Sequence, residues 1–307
     1  MIYVVGHKNP DTDSIVSALV FSSYLNKKKI KCQPCFIGKI NRETSFVLSL
    51  INEEKISQIK KAGLKDKFYL VDHNSLEQSV PNLKKENVLG VLDHHKMSGF
   101  STDEPIFYRS EVVGSTASLV FKLFQESGFE LSKKQAFLLL AGLVSDTLKM
   151  TSPTTTIEDK KIAEILEKKS GFKINDLAQK MFKSKSDISG MKVKDIVLAD
   201  FKEFTFPKGK VGFGVYETVS SDSLDGIKER IIKELTLIKK EKELDYGFFG
   251  LIDIIKKQCF LYLVSENEKK ISQEIFKGKY QEPEIYLMPG IVSRKKQIMP
   301  LLSKKLS

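Results

Sequence analysis

The sequence predicts an α/β protein of two domains. The N-terminal domain should have a mostly parallel sheet with helices on both faces, and the smaller C-terminal α/β domain a mixed sheet. Short apolar runs alternate with amphipathic stretches up to about Met181, and this alternation is typical of parallel strands joined by right-handed helical crossovers. A polar stretch follows, and then a second series of strands and helices. A length of 307 residues also favours two domains.

The N-terminal domain is predicted to span residues 1–184. Its candidate strands, rich in β-branched and aromatic residues, are "IYVVG", "CQPCFIG", "KFYLVD" and "NVLGVLD". Its candidate helices are "TDSIVSALVFSSYLNKK", "RETSFVLSLINEE", "GSTASLVFKLFQESG", "KKQAFLLLAGLVSDTL" and "TIEDKKIAEILEKKSG". In the first of these helices Ile15, Ala18, Leu19 and Leu25 share one face beside a second apolar stripe, which predicts a largely buried helix.

The second domain is predicted to span residues 192–307, after a polar linker at 185–191 that we expect to act as a hinge. Its candidate strands are "FKEFTF", "KVGFGVYETV", "YGFFGLIDII", "CFLYLVS" and "EIYLMPG". Its candidate helices are the long amphipathic stretch "SLDGIKERIIKELTLIKKEKEL", a short helix after the fourth strand, and "KQIMPLLSKKL", which Pro300 interrupts.

Composition narrows the function classes. The chain is 41% hydrophobic and 29% charged, as expected for a globular protein with a sizeable core. It has no apolar run near the roughly 18 residues of a membrane span and no signal-peptide pattern at its start, so we expect a cytoplasmic protein that does not enter membranes. The net charge of +11 comes from scattered lysines, partly interleaved with acids, and no basic-aromatic stripe predicts a nucleic-acid partner.

Cysteine usage points to a reducing compartment, because Cys32, Cys35 and Cys259 cannot all form disulfides. The stretch "CQPC" has CxxC spacing, but no second CxxC completes a zinc site. We therefore interpret these cysteines as structural.

Acids and imidazoles follow the predicted strands of the N-terminal domain. All four histidines belong to this group, which comprises His7, Asp11 and Asp13 after the first strand, Asp72 and His73 after the third, and Asp93, His94 and His95 after the fourth. Asp146 closes the apolar helix "FLLLAGLVSD". Ligands of open parallel sheets bind beyond the carboxyl ends of the strands, so these side chains are expected to meet in one crevice.

Each acid also has an ordinary structural explanation. Asp11 and Asp13 could cap the following helix, Asp72 could start a turn, and Asp146 could face solvent. Together, however, crowded carboxylates would repel one another and raise each other's pKa, and a divalent cation removes that cost. The hard oxygen ligands with a minority of imidazole favour Mn²⁺, Mg²⁺ or Co²⁺ over a structural zinc.

The supply of carboxylates exceeds what one ion needs, which favours two ions that share a bridging aspartate. Two such ions suit in-line attack on phosphorus. The sequence has no GxGxxG after the first strand, and "GHKNPD" puts acids where the phosphates of a dinucleotide would need backbone amides. A nicotinamide-binding or P-loop protein is therefore a poor interpretation.

The motifs "GHKNPDTDS", "VDHN", "VLDHH", "SDT" with the following "SPT", and "SRKKQ" resemble those of family II inorganic pyrophosphatases in the DHH phosphoesterase superfamily. The resemblance covers essentially the whole chain, in the same order. The triplet "DHH" alone is shared with exonucleases, oligonucleotide phosphodiesterases and exopolyphosphatases, whereas "SRKKQ" is the narrower signal. The "GGGH" element typical of the relatives that act on nucleotides is missing from the sequence.

The resemblance implies a role for each matched residue. One metal would be held by His7, Asp11 and Asp72, and the other by Asp13, Asp72, His94 and Asp146, with Asp72 as the bridge. Asp93 and His73 would orient the ligands from behind, while His95 would face the substrate. Lys202, Arg294 and Lys295 would bind pyrophosphate from the second domain; the residues alone would not have singled them out, because the chain has 50 Lys and Arg.

The implied reaction is hydrolysis of diphosphate to two phosphates by a hydroxide that bridges two Mn²⁺ or Co²⁺ ions, with Mg²⁺ accompanying the substrate. His95, Asp93, Lys202 and Arg294 would form the catalytic group, and a homodimer is implied by resemblance alone. Two alternatives stay open at this point. One is a phosphoesterase acting on polyphosphate or oligonucleotides, and the other is a basic nucleic-acid-binding module with a structural metal.

Overall fold

The computed structural model describes residues 1–52, 56–97, 101–281 and 283–307. The chain forms two compact units, Met1–Ser184 and Lys185–Ser307. No helix within the described ranges is both long and apolar enough to cross a membrane.

The first unit is built on a parallel sheet of six strands in the order β3-β2-β1-β4-β5-β6. These strands are β1 (Ile2–Val5), β2 (Gln33–Phe36), β3 (Ser57–Gln58), β4 (Lys67–Val71), β5 (Val88–Asp93) and β6 (Phe107–Ser110). All four predicted strands are present, which confirms the parallel α/β fold. The two edge strands β3 and β6 were not predicted, because they are short, largely exposed and without an apolar run.

The described residues of this unit form six helices, and short 3₁₀ turns lie at Leu76–Gln78 and Lys85–Asn87. The helices are α1 (Thr12–Lys27), α2 (Arg42–Ser49), α3 (Thr116–Glu126), α4 (Lys133–Asp146), α5 (Ile157–Ser170) and α6 (Ile174–Lys185). The predicted second helix was too long, since α2 ends at Ser49; its last two predicted residues, Glu53 and Glu54, lie outside the described residues. The helix α6 was missed, because its stripe of Leu177, Ala178, Met181 and Phe182 merges into the lysine-rich stretch read as linker.

The second unit contains a mixed sheet, as predicted, and its strands lie in the order β11-β12-β10-β9-β8-β7. Its strands are β7 (Lys202–Phe206), β8 (Gly209–Thr218), β9 (Tyr246–Asp253), β10 (Gln258–Tyr262), β11 (Lys279–Gln281) and β12 (Ile285–Pro289). The pair β8–β9 is parallel and the other neighbouring pairs are antiparallel. Two apolar clusters pack against this sheet, one around Phe213 and Phe248 and one around Phe249 and Tyr262.

In the part of the second unit that the structure describes, the helices are α7 (Val193–Val197), α8 (Lys228–Glu241), α9 (Glu266–Ile275) and α10 (Met299–Leu306). A 3₁₀ segment at Ser221–Ile227 precedes α8, so the long predicted helix begins later than expected. Pro300 occupies the first turn of α10, where its missing N–H costs no hydrogen bond, and a wider turn at Arg294–Ile298 precedes it.

The core of the first unit gives the site its rigid base. On β1, β4 and β5 the residues Val5, Leu70 and Val91 are fully buried. Helix α1 is buried along nearly its whole length, as its two apolar stripes predict. Strand ends and helix ends that emerge from such a core hold their side chains in fixed positions.

Candidate metal centre

Three neighbouring strands deliver the predicted acids and histidines to one edge of the parallel sheet. The loop after β1 carries His7 and Asp11, β4 is followed by Asp72, and β5 ends at Asp93 just before His94. Because β1, β4 and β5 are adjacent and parallel, their carboxyl ends meet, as expected. Helix α1 adds Asp13 from its first turn, and helix α4 adds Asp146 from its last residue.

These side chains form three groups of potential metal ligands that share Asp72. The first is His7, Asp11 and Asp72, the second is Asp13, Asp72, His94 and Asp146, and the third is Asp72, His94 and His95; within each group the ligand atoms lie within 4.8 Å of one another. The two oxygens of Asp72 have different neighbours: Oδ2 lies 3.4 Å from His7 Nε2, and Oδ1 lies 3.4 Å from His94 Nε2. One carboxylate can therefore serve the first two groups at once.

Two buried atoms of this centre, one on His94 and one on Asp72, are suited to metal coordination. His94 Nδ1 lies 3.1 Å from the carbonyl oxygen of Val113, to which it can only donate, so in the neutral form of the ring Nε2 carries the lone pair. In the described part of the chain, this Nε2 and Asp72 Oδ2 are both buried without a hydrogen-bond partner. Buried polar atoms left in this way are costly, and a metal ion supplies the missing partner.

Asp72 combines burial with an unusual backbone conformation. It is only 1% exposed, and its φ of +63° lies in the left-handed region that non-glycine residues rarely adopt. Its Oδ1 accepts a hydrogen bond of 2.9 Å from Thr116 Oγ1, and its N–H donates to the Leu92 carbonyl oxygen at 3.0 Å. Such strain is often found at functional sites, where surrounding contacts enforce it.

Asp13 is fully buried and is held by the N-terminus of helix α3. Its carboxylate accepts hydrogen bonds from Ser115 Oγ at 2.8 Å, Thr116 N at 2.7 Å and Ala117 N at 3.0 Å. Helix α4 comes close through Gly142, where a Cβ atom would lie 2.7 Å from Asp13 Oδ1. A side chain at Gly142 would therefore displace this ligand.

The electrostatics of the metal-free centre also favour a cation. Burial raises the pKa of Asp13 well above its usual range, and the carboxylates of Asp72 and Asp146 raise it further. Burial likewise raises the pKa of Asp146 to about 7, although His94 opposes the shift. Burial alone would raise the pKa of Asp72 as well, but His7 and His94 hold it well below its usual range. A bound divalent cation would stabilise all three carboxylates in their charged form.

The adjacent histidines of "DHH" have different partners. Asp93 Oδ1 accepts hydrogen bonds from the N–H and, at 2.9 Å, from Nδ1 of His95, while its Oδ2 accepts one of 2.6 Å from Asn74. The His95 side chain is 53% exposed, whereas that of His94 is 11% exposed. Asp93 therefore orients His95, and the Val113 carbonyl orients His94.

His73 lies behind the ligand groups. Its ring is 2% exposed, its Nδ1 lies 2.9 Å from the Val71 carbonyl oxygen, and it stands edge-on to the ring of His7 at 6.5 Å between centroids. Burial lowers the pKa of His73 to about 4, so the ring is neutral near pH 7. The supporting role of His73 stays a prediction.

Two buried carboxylates that the sequence did not single out brace the centre. Asp159 of helix α5 accepts hydrogen bonds from Gly114 N at 2.8 Å and Ser118 Oγ at 2.6 Å, and so holds the segment that carries Thr116. Glu43 of helix α2 accepts hydrogen bonds from Thr12 and Ser145, which directly precede Asp13 and Asp146. Their sequence signal was hidden, because each acid lies in a helical first turn, where acids are common.

An open cleft of the first unit adjoins these ligands. Asp11, His94, His95 and Asp146 line it together with Ser152 and Thr154 from the "SPT" segment. The cleft gives a substrate access to the ligand groups and brings hydroxyl donors beside them. Residues of both "SDT" and "SPT" therefore line the same cleft.

The predicted cations of the second unit lie near one another within that unit. Arg294 is only 8% exposed, and its guanidinium donates to the carbonyl oxygens of Asp200 and Phe213 and to Asp200 Oδ2. Lys202 pairs with Phe213 across β7 and β8, and its Nζ lies 3.7 Å from Asp200 Oδ1. Lys295 is exposed on the turn that follows Arg294.

Comparison with known proteins relates both parts of the chain to known families. The model of the DHH family, N-terminal domain, matches residues 1–143, and the model of the DHHA2 domain matches residues 179–305. Two manganese-dependent inorganic pyrophosphatases are each 36% identical to the chain. That of Methanothrix thermoacetophila aligns over 98% of this chain and 97% of its own length, and that of Methanocaldococcus jannaschii over 99% of both. The corresponding protein of Bacillus subtilis is 31% identical, over 98% of this chain and 97% of its own.

Solved structures give the same result. A Methanococcus jannaschii crystal structure assigned to family II inorganic pyrophosphatases is 34% identical, with a TM-score of 0.65 and coverage of 100% of this chain and 99% of that chain. An exopolyphosphatase-related protein from Bacteroides fragilis, 18% identical over 99% of this chain and 91% of that chain with a TM-score of 0.50, shows only the shared fold. On the strength of its full-length relatives, this chain belongs to the family of manganese-dependent, or family II, inorganic pyrophosphatases.

Proposed function

We propose that this protein hydrolyses inorganic pyrophosphate to two phosphate ions with the help of divalent metal ions. The observation that carries the proposal is the pair of ligand groups joined through Asp72, whose two oxygens face His7 and His94. The names of its relatives supply the substrate and manganese.

The proposed ligands follow the first two of the three geometric groups, and His95 of the third group is assigned to the substrate instead. His7, Asp11 and Asp72 hold one ion, and Asp13, Asp72, His94 and Asp146 hold the other. Two bound ions of this kind supply a nucleophile at neutral pH and neutralise charge on the phosphoryl oxygens. The occupancy of two ions, the use of Co²⁺ in place of Mn²⁺ and the arrival of Mg²⁺ with the substrate are all parts of the proposal.

His95 is the proposed proton donor to the leaving phosphate. Its hydrogen bond with Asp93 raises the pKa of His95, against the effect of partial burial, so the ring holds a proton to higher pH. With Nδ1 donating to Asp93, Nε2–H remains for an oxygen of the substrate. The half-exposed ring can reach an anion in the cleft that it lines.

Lys202, Arg294 and Lys295 are the proposed pyrophosphate-binding cations of the second unit. Pyrophosphate is a polyanion, for which arginine offers a bidentate fork and lysine a mobile point charge. The proposal includes the domain boundaries: a division at 184, a hinge at 185–191 and a substrate-binding unit at 192–307. It also includes a homodimer, a cytoplasmic location and the lack of a nucleic-acid partner.

The test is a comparison of substrates on one preparation. The protein is stripped with a chelator, reloaded with Mn²⁺, and given pyrophosphate, polyphosphate and a short dinucleotide in parallel. We expect pyrophosphate to be hydrolysed with the highest kcat/KM, and the activity to disappear without metal. Faster turnover of the dinucleotide or of polyphosphate would overturn the proposal.

A further inference from the structure

Arg294 is the most firmly fixed of the three proposed pyrophosphate-binding cations. Its Nη1 donates to two backbone carbonyls, those of Asp200 and Phe213, the latter at 2.9 Å. These contacts use the two hydrogens of Nη1 and anchor the guanidinium on that side. The donors that remain for an anion are those of Nη2 and Nε.

One of these donors, Nη2, already binds the carboxylate of Asp200. Asp200 Oδ2 lies 2.8 Å from Arg294 Nη2, and Asp200 Oδ1 lies 3.7 Å from Lys202 Nζ. The Asp200 side chain is 53% exposed and that of Lys202 is 60% exposed, so a ligand can reach both. One carboxylate thus lies between the two cations, with an oxygen directed at each.

We propose that Asp200 is an internal counter-ion that sets the affinity of the Arg294–Lys202 pair for anions, because its carboxylate occupies the position that a phosphoryl oxygen takes. This inference rests on the proposed function, which assigns both cations to pyrophosphate. Pyrophosphate and the phosphate product compete with the Asp200 carboxylate for the Nη2 hydrogen that it accepts and for the ammonium group of Lys202. Asp200 therefore weakens both and favours release of phosphate.

The size of the effect follows from the exposure of the ion pair. If an anion binds only when the Asp200–Arg294 ion pair is broken, its apparent affinity is reduced by the fraction of protein in which the ion pair is formed. Exposed ion pairs are weak, but an arginine–carboxylate hydrogen bond is among the stronger ones. Removal of the Asp200 charge is therefore expected to tighten anion binding about three- to tenfold.

The experiment compares Asp200→Asn with Glu203→Gln in the full-length, Mn²⁺-loaded protein. Asp200→Asn removes the competing charge and leaves the backbone carbonyl that holds Arg294. Glu203→Gln removes the same charge three residues further on, from a carboxylate paired with Lys210 and Lys242 instead. The measurements are KM for pyrophosphate, Ki for inorganic phosphate, and the dissociation constant of phosphate by calorimetry without turnover.

We expect Asp200→Asn to lower all three constants about three- to tenfold without raising kcat, and Glu203→Gln to change them less than about twofold. Asp200→Glu keeps the charge, so its three constants should stay near those of the wild type. This variant distinguishes the effect of the charge from that of the side-chain shape. Should Asp200→Asn unfold, as judged by its melting curve, Asp200→Ser gives the same comparison. Constants that rise, or that match those of Glu203→Gln, would overturn the inference. A wild-type protein without pyrophosphatase activity would instead overturn the proposed function.

Discussion

Nδ1 of His95 lies 2.9 Å from Oδ1 of Asp93, two residues earlier in the chain. This contact orients the half-exposed ring of His95, the proposed proton donor, while His94 is largely buried among the acids. Replacement of His95 by Gln should reduce kcat by about 10²- to 10⁴-fold, the usual contribution of general acid–base catalysis, while the bound metal stays constant. Steady-state kinetics together with metal analysis of the gel-filtered protein test this. Loss of a metal from His95→Gln would mean that His95 is itself a ligand.

The Asp93–His95 pair also predicts a pH effect. The carboxylate raises the pKa of His95, so the protonated form persists to higher pH in the wild type than it would without this partner. Asp93→Asn should therefore lower the pKa of His95 and shift the alkaline limb of the kcat–pH profile to lower pH. Asp103→Asn, which removes an exposed charge paired with Lys85, serves as the control. A limb that stays in place or moves to higher pH would contradict the assignment.

Asp72 is expected to be the most sensitive ligand, because both groups depend on it. Asp72→Ala should abolish tight binding of both proposed ions, whereas Asp11→Ala should weaken mainly the group that contains His7. Mn²⁺ content after gel filtration, measured by mass spectrometry, distinguishes these outcomes. If Asp72→Ala retained one tightly bound ion, the bridging role would be wrong.

Thr116 should tune the metal affinity without contacting the metal. Its hydroxyl donates to Asp72 Oδ1 at 2.9 Å, while its backbone N–H holds Asp13 and is unaffected by a side-chain change. Thr116→Val keeps the shape and removes only the hydroxyl, and the loss of such a supporting hydrogen bond typically costs about 10- to 100-fold in metal affinity. Calorimetric titration with Mn²⁺ measures this effect. Thr236→Val, at an exposed position of helix α8, is the matched control and should bind as the wild type does.

Metal binding should release protons. Burial lowers the pKa of both His7 and His94, but neighbouring carboxylates outweigh it and raise the pKa to about 11 for His7 and about 12 for His94. Both rings are therefore protonated at pH 8 in the metal-free protein, and coordination requires them neutral, so Mn²⁺ affinity should rise with pH. Calorimetry in buffers of different ionisation enthalpy counts the protons released. Affinity that is independent of pH, with no proton release, would contradict this electrostatic account.

The cysteines should be unreactive in the folded protein. Burial raises the pKa of Cys32 to about 11, and burial, with a smaller effect of Asp66, raises that of Cys35 to about 12, while Cys259 is fully buried. Thiolate is the reactive form, so at pH 8 a disulfide reagent should label the native protein slowly and the urea-unfolded protein rapidly. Fast labelling of the native protein would show that the "CQPC" stretch is accessible and reopen a functional role for it.

Local patterns in the sequence were sufficient for most of the first unit. Buried parallel strands have near-continuous apolar runs, and the acids and histidines come directly after them, so both the strands and the ligand candidates could be predicted. The capping explanation for Asp11 also holds, because its Oδ1 accepts a hydrogen bond from Ser14 N while Oδ2 lies 3.7 Å from His7 Nε2. Asp11 therefore caps helix α1 with one oxygen and keeps the other beside a proposed metal ligand.

The sequence by itself determined the fold class, the strand ends that carry ligands and, through resemblance, the family. Only the tertiary structure decided how the two oxygens of Asp72 are divided, that Asp93 holds His95, and that Asp159 and Glu43 brace the ligands. The hydrogen bond between Arg294 and Asp200, 94 positions apart, could not be predicted from the sequence either. The physical reason is that strand formation follows local periodicity, whereas hydrogen bonds between distant side chains depend on how the elements pack.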